Sequence, residues 1–196
     1  ADGEVTLSDS TANRNDRPGE YSSGFFVVAG GNVAADSCTA TENNDAGFNV
    51  KTQGKMTISS SIAGGNGYEG IWAEELGNGP HQASGNILCE NSLFGLGLRV
   101  DKTVDAEGNW WGHASGPTHP SNAGGSGDAV GDKANNGAGT VDFSPWIDTV
   151  SGSATVDPVI AGQPTVISFQ FSGGAGTLFL GQGPGDPHGP PPFALT

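Results

Sequence analysis

A short pattern that recurs at nearly constant spacing constrains the fold of this chain more than any other feature. Each copy consists of glycine, an apolar residue, a variable residue and a second apolar residue. Four copies start 23, 23 and 27 residues apart, and they occupy residues 24–27, 47–50, 70–73 and 97–100. Apolar residues that alternate at period 2 are typical of a β-strand that buries one face.

A second alternating segment completes each repeat of roughly 23 residues, and its four copies occupy residues 4–7, 32–35, 55–58 and 86–89. Asn, Asp, Ser and Gly separate the two strands of each repeat, and these residue types tolerate tight turns. Because a repeat this short cannot bury a core alone, its copies must stack. The sequence therefore predicts an all-β parallel β-helix, in which equivalent strands of successive coils pair about 4.8 Å apart.

Composition excludes several other classes of protein. Gly makes up 34 of 196 residues and charged residues only 14%, unlike a long-helix or coiled-coil protein. With 21 acidic and 7 basic residues, the formal charge of −14 disfavours a nucleic-acid partner. No run of eighteen apolar residues is present, so we expect no membrane span. The chain opens at Ala1 without a signal-type segment, which predicts a mature secreted product or a piece of a larger protein.

The region from residue 109 to residue 147 carries a resemblance to a known family. It contains Asn-Trp-Trp-Gly at 109–112, Ser-Gly-Pro at 115–117 and Val-Asp-Phe-Ser-Pro-Trp-Ile at 141–147. Together these segments resemble the ending of prokaryotic right-handed parallel β-helix repeat proteins of the pectate-lyase-like group. The resemblance covers residues 3–148. It implies a right-handed parallel β-helix, of about five coils here, and an extracellular or cell-surface location.

The same resemblance implies a C-terminal cap. In that family the Asn-Trp-Trp-Gly segment closes the last coil, whose open apolar end and unpaired strand edges would otherwise invite aggregation. Sugar binding by the adjacent tryptophans is the alternative function. Residues 113–140 are predicted to be a polar loop that does not pack. The predicted structural cap consists of Asn109, Trp110, Trp111, Gly112, Phe143, Pro145 and Trp146.

Beyond the cap the sequence predicts a second unit. We place the β-helix and its cap at residues 1–148 and a β-rich tail at 149–196. The tail is interpreted as a partial second domain or as a segment, 155–180, through which copies of the chain assemble. Predicted strands lie at 156–160, 165–171 and 177–180, and residues 181–192 are too rich in Gly and Pro to be regular.

Aligning the repeats identifies the residues that face outward. One predicted outward row is Phe26, Asn49, Trp72 and Arg99, and the next is Val28, Lys51, Glu74 and Asp101. An aromatic ring beside polar donors and acceptors is what stacking on a sugar requires. The alternative is a solvated ladder, whose exposed ion pairs contribute about 0–1 kcal/mol. The predicted ligand-binding set is Asn49, Lys51, Trp72, Glu74, Arg99 and Asp101.

Catalysis on this face is an alternative without a firm catalytic residue. Glu74 and Asp101 on neighbouring coils would lie about 5 Å apart, near the spacing of the two carboxylates in retaining glycosidases. The resemblance adds that lyases of this fold use a basic residue with acidic calcium ligands, a role open to Arg99. No lyase motif of the family is present, so the sequence does not establish an enzyme.

The sequence assigns no metal ligand. His113 and His119 are separated by five residues, which is not a zinc-binding spacing, and residues 127–132 lack the ligand pattern of an EF-hand. Calcium at the acidic corners is left open, and no other cofactor is predicted. Cys38 and Cys89 align two coils apart, about 9–10 Å, which is too far for a disulfide. We expect Cys89 to be buried in the core.

These observations lead to three hypotheses of different classes. The first is a secreted or cell-surface structural or adhesive module that binds a polysaccharide or surface glycan. The second is a fragment of a polysaccharide lyase or glycoside hydrolase that uses Glu74, Asp101 and Arg99. The third is a subunit of a fibre or surface layer that assembles by strand addition, which needs only backbone pairing.

Overall fold

The structure is a computed structural model that describes residues 3–16 and 22–149, together with two further strands at 166–171 and 174–179. The chain divides into two units, Ala1–Thr149 and Val150–Thr196. Every regular element in the described ranges is a β-strand. Among these residues no helix is long and apolar enough to cross a membrane.

The first unit consists of stacked coils that carry short strands in the same order. The first coil contributes β1 (Val5–Ser8) and β2 (Phe25–Ala29). The next three coils contribute β3 (Val33–Asp36), β4 (Thr39–Thr41), β5 (Phe48–Thr52), β6 (Met56–Ser59), β7 (Ile62–Gly64), β8 (Ile71–Glu75), β9 (His81–Ser84), β10 (Ile87–Cys89) and β11 (Leu96–Leu98). They are followed by β12 (Thr103–Asp105), β13 (Pro117–Thr118), β14 (Gly127–Gly131) and β15 (Thr140–Asp142).

Equivalent strands of successive coils pair in parallel and form three sheets. Sheet 1 has the order β1-β3-β6-β9-β12-β15, sheet 2 the order β4-β7-β10, and sheet 3 the order β2-β5-β8-β11-β14-β13. This architecture is an all-β parallel β-helix, and the predicted fold class is confirmed. We predicted about five coils with two strands each. In the described residues three coils supply a strand to all three sheets, and partial coils flank them.

The core lies between the sheets and is built from columns of side chains that repeat from coil to coil. In sheet 3 one column contains Phe25, Phe48, Ile71 and Leu96. The rings of Phe25 and Phe48 stack with their centroids 5.1 Å apart. Burying each such side chain stabilises the fold by about 1.5–3 kcal/mol. Stacking therefore provides the core that a single repeat lacks.

In sheet 3 the fourth coil departs from the predicted register. We aligned residues 97–100 with residues 70–73, but β11 pairs Gly97 with Trp72. Gly95 and Gly97 each precede a leucine, so the repeat pattern fits two frames. The structure adopts the Gly95 frame, in which both leucines of β11 point into the core and are buried.

The predicted register of sheet 1 is also wrong in the fourth coil. Residues 86–89 do not continue the row of 55–58, because β9, which begins at His81, pairs with β6 instead. The pattern missed this strand since His81 takes an inward position that is apolar in the other coils. Its Nδ1 accepts the Met56 N–H at 3.2 Å, and Nε2 donates to the Gly77 carbonyl at 3.3 Å. Burial lowers the pKa of His81, which favours the neutral ring.

An amide ladder connects the coils at the corner between sheets 2 and 3. Asn43, Asn66 and Asn91 occupy equivalent positions there, and Asp128 occupies the next one. Each asparagine Nδ2–H donates to the side-chain oxygen one coil further along, over 2.8–3.0 Å. The same oxygen accepts the backbone N–H of the preceding ladder residue at 3.0–3.2 Å. The ladder thus satisfies backbone groups at a corner where strand pairing is interrupted.

The corner between sheets 1 and 2 turns in the same way in every coil. One residue per coil adopts a positive φ of 47–68°, namely Asp9, Ser37, Ser60, Gly85 and Gly108. The next residue begins a second polar row, in which each backbone N–H donates to a side-chain oxygen one coil further along. Those bonds measure 2.8–3.0 Å and connect Cys38, Ser61, Asn86 and Asn109.

Residues 113–140, which we predicted as a loop that does not pack, instead rejoin the β-helix. Strand β14 pairs in parallel with β11, and β13 pairs with β14. Val130 points into the core and is fully buried. Gly131 lies beneath the ring of Phe94, and a Cβ there would come within 2.6 Å of it. The strand was missed because Val130 is its only large apolar residue.

The second unit is described by one antiparallel pair, β16 (Val166–Phe171) and β17 (Gly174–Phe179). These strands overlap two of the three strands predicted in the tail. The predicted strand at 156–160 and the predicted irregular segment at 181–192 lie outside the described residues.

Replacing Asn66 by alanine tests the amide ladder. The substitution removes the Nδ2–H bond to the Ala40 carbonyl and leaves the buried N–H of Asn43 without its acceptor. Because buried polar groups are then unsatisfied, we expect the free energy of unfolding to fall by about 2–4 kcal/mol, measured by urea denaturation. The control is Asn78→Ala, which removes an exposed amide and should cost less than about 0.5 kcal/mol. Equal losses would contradict a structural role for the ladder.

Candidate functional site

The outward side of sheet 3 carries most of the residues predicted to bind a ligand. From coil to coil its outward positions are occupied by Phe26, Asn49, Trp72 and Gly97. We use the name Trp72 face for the group of outward side chains Asn49, Lys51, Glu69, Trp72, Glu74 and Arg99.

Five of the six predicted ligand-binding residues lie together on this face. Asn49 pairs in register with Trp72. The guanidinium carbon of Arg99 lies 5.5 Å from the centroid of the Trp72 ring, which is a cation–π contact. The Nζ of Lys51 lies 2.8 Å from Oε1 of Glu74. The face therefore combines an aromatic ring with charged groups and an amide.

Asp101, the sixth predicted residue, does not join them. It is exposed in the bend between β11 and β12, and among the described residues it makes no ion pair with the face. The prediction that Glu74 and Asp101 lie at equivalent positions depended on aligning residues 97–100 with residues 70–73. In the structure Leu96 pairs with Ile71 instead, so this prediction is wrong. A shifted frame places Arg99, whose N–H donates to the Ala73 carbonyl, beside Glu74 instead. The proposed carboxylate pair is thus not assembled.

Glu69 belongs to the Trp72 face although we did not predict it. It precedes β8 by two residues and is only 1% exposed. A Cβ built on Gly97 would lie 3.2 Å from the Glu69 Cγ and 3.5 Å from Oε1. Because the neighbours of Gly97 in β11 point inward, Gly97 itself faces outward. The Glu69 side chain therefore fills the space that the missing side chain of Gly97 leaves.

No repeat pattern indicates Glu69, since the equivalent positions in the other coils hold Ser23, Ala46 and Phe94. The available signal was a pair of departures from the repeat. An acidic residue replaces a small or apolar one, and a glycine occupies the outward position opposite Trp72. Only the correct register brings these two departures together.

Unsatisfied polar atoms concentrate on this face. In the described part of the chain four buried side-chain atoms have no hydrogen-bond partner, and three are Asn49 Oδ1, Glu69 Oε2 and Trp72 Nε1. The fourth, Trp111 Nε1, lies elsewhere. A buried polar group without a partner costs about 1–3 kcal/mol, so such atoms are rare in native structures. Two acceptors and one donor of this face therefore have no hydrogen-bond partner within the described residues.

Burial dominates the electrostatics of Glu69. It raises the pKa of the carboxyl, and the nearby Asp45 carboxylate raises it further. A hydrogen bond from its own backbone N–H and the charge of Arg99 act in the opposite direction. The hydrogen bond to Glu74 raises the pKa of Lys51 and keeps that amine charged. Of the two cations of the face, Lys51 is therefore paired with a carboxylate and Arg99 contacts the Trp72 ring.

The residues predicted to cap the helix occupy two places. Asn109 ends the second polar row, Trp110 pairs with Ile87 in sheet 2, and Trp111 is fully buried. Phe143 and Trp146 pack together with ring centroids 6.3 Å apart. Gly112 and Pro145 are exposed. The cap itself stays a prediction.

Neither the pair His113 and His119 nor the acidic segment 127–132 forms a recognisable metal centre. Within the described ranges, no group of three or more His, Cys, Asp or Glu side chains is placed to hold a metal ion. Asp128 instead ends the amide ladder, and Asp132 binds His119.

The two cysteines are free. Cys38 is buried, whereas Cys89, which we placed in the core, faces outward because Leu88 takes the inward position of β10. Gly112 covers it, since a Cβ on that glycine would lie 3.1 Å from the Cβ of Cys89. Burial beneath this cover raises the pKa of the thiol to about 12.

Comparison with known proteins gives one match. A family model described as the right handed beta helix region matches residues 1–110, more than half of the 196-residue chain. No curated protein and no solved structure matches the chain.

Replacing Glu69 by glutamine tests the electrostatic state of the Trp72 face. A carboxyl with a raised pKa stabilises the fold fully below its unfolded pKa, near 4.3, and loses that contribution as the pH rises through the folded pKa. Glutamine does not titrate. We therefore expect Glu69→Gln to be more stable, relative to wild type, at pH 7 than at pH 4.

The measurement is urea denaturation of both proteins at the two pH values. Glu74→Gln is the control, because its carboxyl is paired with Lys51 and the substitution should stabilise nothing at pH 7. A Glu69→Gln difference that is the same at pH 4 and pH 7 would show that burial does not perturb this carboxyl.

Proposed function

Because the chain belongs to the right-handed β-helix family, we propose that it is a secreted or cell-surface structural or adhesive module whose Trp72 face binds carbohydrate. A fold alone does not determine function, so the proposal rests on the chemistry of the face. The observation that carries it is the set of unsatisfied buried atoms on Asn49, Glu69 and Trp72. Sugar hydroxyls both donate and accept hydrogen bonds, so one ligand class matches both acceptors and the donor.

The apolar part of the face supports the same ligand. Trp72 is half-buried, and Phe26 on the same outward row is 61% exposed. Two coils separate these rings, about 10 Å along the axis. Aromatic rings stack on the apolar faces of sugars while polar groups bond the hydroxyls. A face of this length suits an oligosaccharide better than a single sugar.

The charge on the face favours a neutral glycan. Lys51 is paired with Glu74 and so is not free for an anionic sugar, whereas Arg99 contacts the Trp72 ring. The formal charge of −14 would further repel sulfated or uronic-acid polymers.

Replacing Trp72 by alanine tests the proposal. On an array of neutral and acidic glycans, we expect the wild type to bind neutral oligosaccharides and Trp72→Ala to lose at least about tenfold in affinity, because stacking and the Nε1–H bond are both removed. Trp72→Phe keeps the ring and should lose less. Arg14→Ala, which changes an exposed cation paired with Glu42 elsewhere, is the control. No binding to any glycan, or equal binding by wild type and Trp72→Ala, would refute the proposal.

The same samples test the enzymatic alternative. Incubation of the bound glycan with wild-type protein should release no unsaturated or reducing ends, since the face lacks the Glu74–Asp101 pair. Release that is lost in Glu74→Gln would establish a lyase or hydrolase instead.

A further inference from the structure

A second polar cluster lies away from the Trp72 face, in the turn formed by residues 119–122. The Asn122 N–H donates to the His119 carbonyl at 2.9 Å and closes the turn. Inside it the Oγ of Ser121 lies 2.7 Å from Nδ1 of His119, and the Ser121 N–H donates to the same nitrogen at 3.2 Å. Ser121 is exposed, whereas His119 is buried. The hydroxyl is therefore accessible while its partner is held in place.

Asp132 binds the other side of the imidazole. Its Oδ1 lies 3.0 Å from Nε2 of His119, and both side chains are more than nine-tenths buried. The same carboxylate accepts the N–H of Ala134 at 2.9 Å, which fixes its orientation. The ring of Phe143 packs against the imidazole with centroids 5.0 Å apart. All three contacts restrict rotation of the His119 ring.

These contacts determine how the ring is protonated. Because Nδ1 accepts the backbone N–H of Ser121, the proton of the neutral ring is on Nε2, where it is donated to Asp132. The single lone pair of Nδ1 is then shared between this N–H and the Ser121 hydroxyl, whose oxygen is the closer of the two. A serine that donates to a histidine, which in turn donates to a buried carboxylate, has the arrangement of an activated nucleophile.

A second turn, at His113 and Ser115, has the same histidine–serine contacts but lacks the buried aspartate. His113 and Ser115 repeat the same contacts, with Oγ 2.8 Å and the backbone N–H 3.2 Å from Nδ1. His113, however, is exposed, and no acidic residue binds its Nε2 among the described residues. The turn explains the serine contact in both places. It does not explain why only His119 is buried against an aspartate.

The backbone after Ser121 leaves groups that could bind an oxyanion. Ala123 and Gly124 lie in the next turn, which the Gly125 N–H closes by donating to the Asn122 carbonyl, and neither of their own N–H groups donates to any residue that the structure describes. Backbone N–H groups close to a nucleophile stabilise the negative charge of a tetrahedral intermediate.

We propose that Ser121 is a nucleophile for carboxylic esters, that His119 is its general base, and that Asp132 is the positioning residue that orients the imidazole. The Ser121 Oγ attacks the ester carbonyl carbon while its proton moves to Nδ1 of His119. The intermediate expels the alkoxide, which takes that proton and leaves as the alcohol. Water then attacks the acyl–serine carbonyl while His119 takes one of its protons. The tetrahedral intermediate expels Ser121 Oγ, to which His119 returns that proton, and the carboxylic acid leaves.

The test uses a fluorophosphonate probe, which the same nucleophile would attack with loss of fluoride, followed by intact-mass analysis and peptide mapping. We expect one label per chain on Ser121, none in Ser121→Ala, and labelling at least about 100-fold slower in His119→Gln. Ser115→Ala is the matched control and should label like wild type. A chromogenic short-chain ester should give an acyl adduct on the same serine.

The role of Asp132 has its own readout. In Asp132→Asn the Nε2–H of His119 loses its charged acceptor, so the ¹⁵N shift of Nε2 should move in long-range ¹H–¹⁵N spectra and labelling should slow at least about tenfold. Denaturation curves of each variant report whether it is folded. No labelling of the folded wild type, or equal labelling of Ser115 and Ser121, would overturn the proposal. Labelling of Ser121 that persists in folded His119→Gln would also overturn it.

Discussion

Hydrogen bonding between stacked coils is the interaction on which the rest of this structure depends. The strands of the coils have two to five residues, too few bonds to be stable singly, and each coil turns sharply at its corners. The amides of Asn43, Asn66 and Asn91 connect one corner of successive coils without interruption. The inner columns of Phe, Ile and Leu then stack in a common register. Polar corners and an apolar interior thus cooperate to hold each coil on the next.

A regular frame makes the departures from it informative. Two positions that hold an apolar or small residue in the other coils are polar here. His81 is a neutral ring bonded to the backbone, and Glu69 is buried beside the outward face of sheet 3. His81 finds partners on both ring nitrogens, so it is explained by the fold. Oε2 of Glu69 has no hydrogen-bond partner. Glu69 shares this feature with Trp72 and Asn49 on the same face. The two histidines of the 113–122 region differ in the same way: His119 is buried and bonded to Asp132, whereas His113 is exposed.

Much of the fold followed from sequence because period-2 alternation and glycine spacing are local signals. The class of fold was predicted correctly. So was the register of the first three coils of sheet 3 as far as Val50, after which a bulge pairs Lys51 with Glu75 instead of Glu74. The fourth coil was not, because Gly95 and Gly97 offered two equivalent frames and His81 concealed a strand. Those errors moved Arg99 and Asp101 to wrong positions while leaving Trp72 and Lys51 right. Glu69 and the pairing of His119 with Asp132 depend on contacts between distant segments, which no local pattern encodes.

The amide ladder also has a direction. Each asparagine is at once a donor and an acceptor, and so passes the pattern to the next coil, whereas the Asp128 carboxylate only accepts. Burial raises the pKa of Asp128, because a charged carboxylate is less favourable there than at a solvent-exposed site. A further coil stacked on that side would meet no amide hydrogen with which to continue the series. One oxygen in place of one nitrogen therefore ends the amide ladder at Asp128, although sheet 3 itself continues by one more strand, β13.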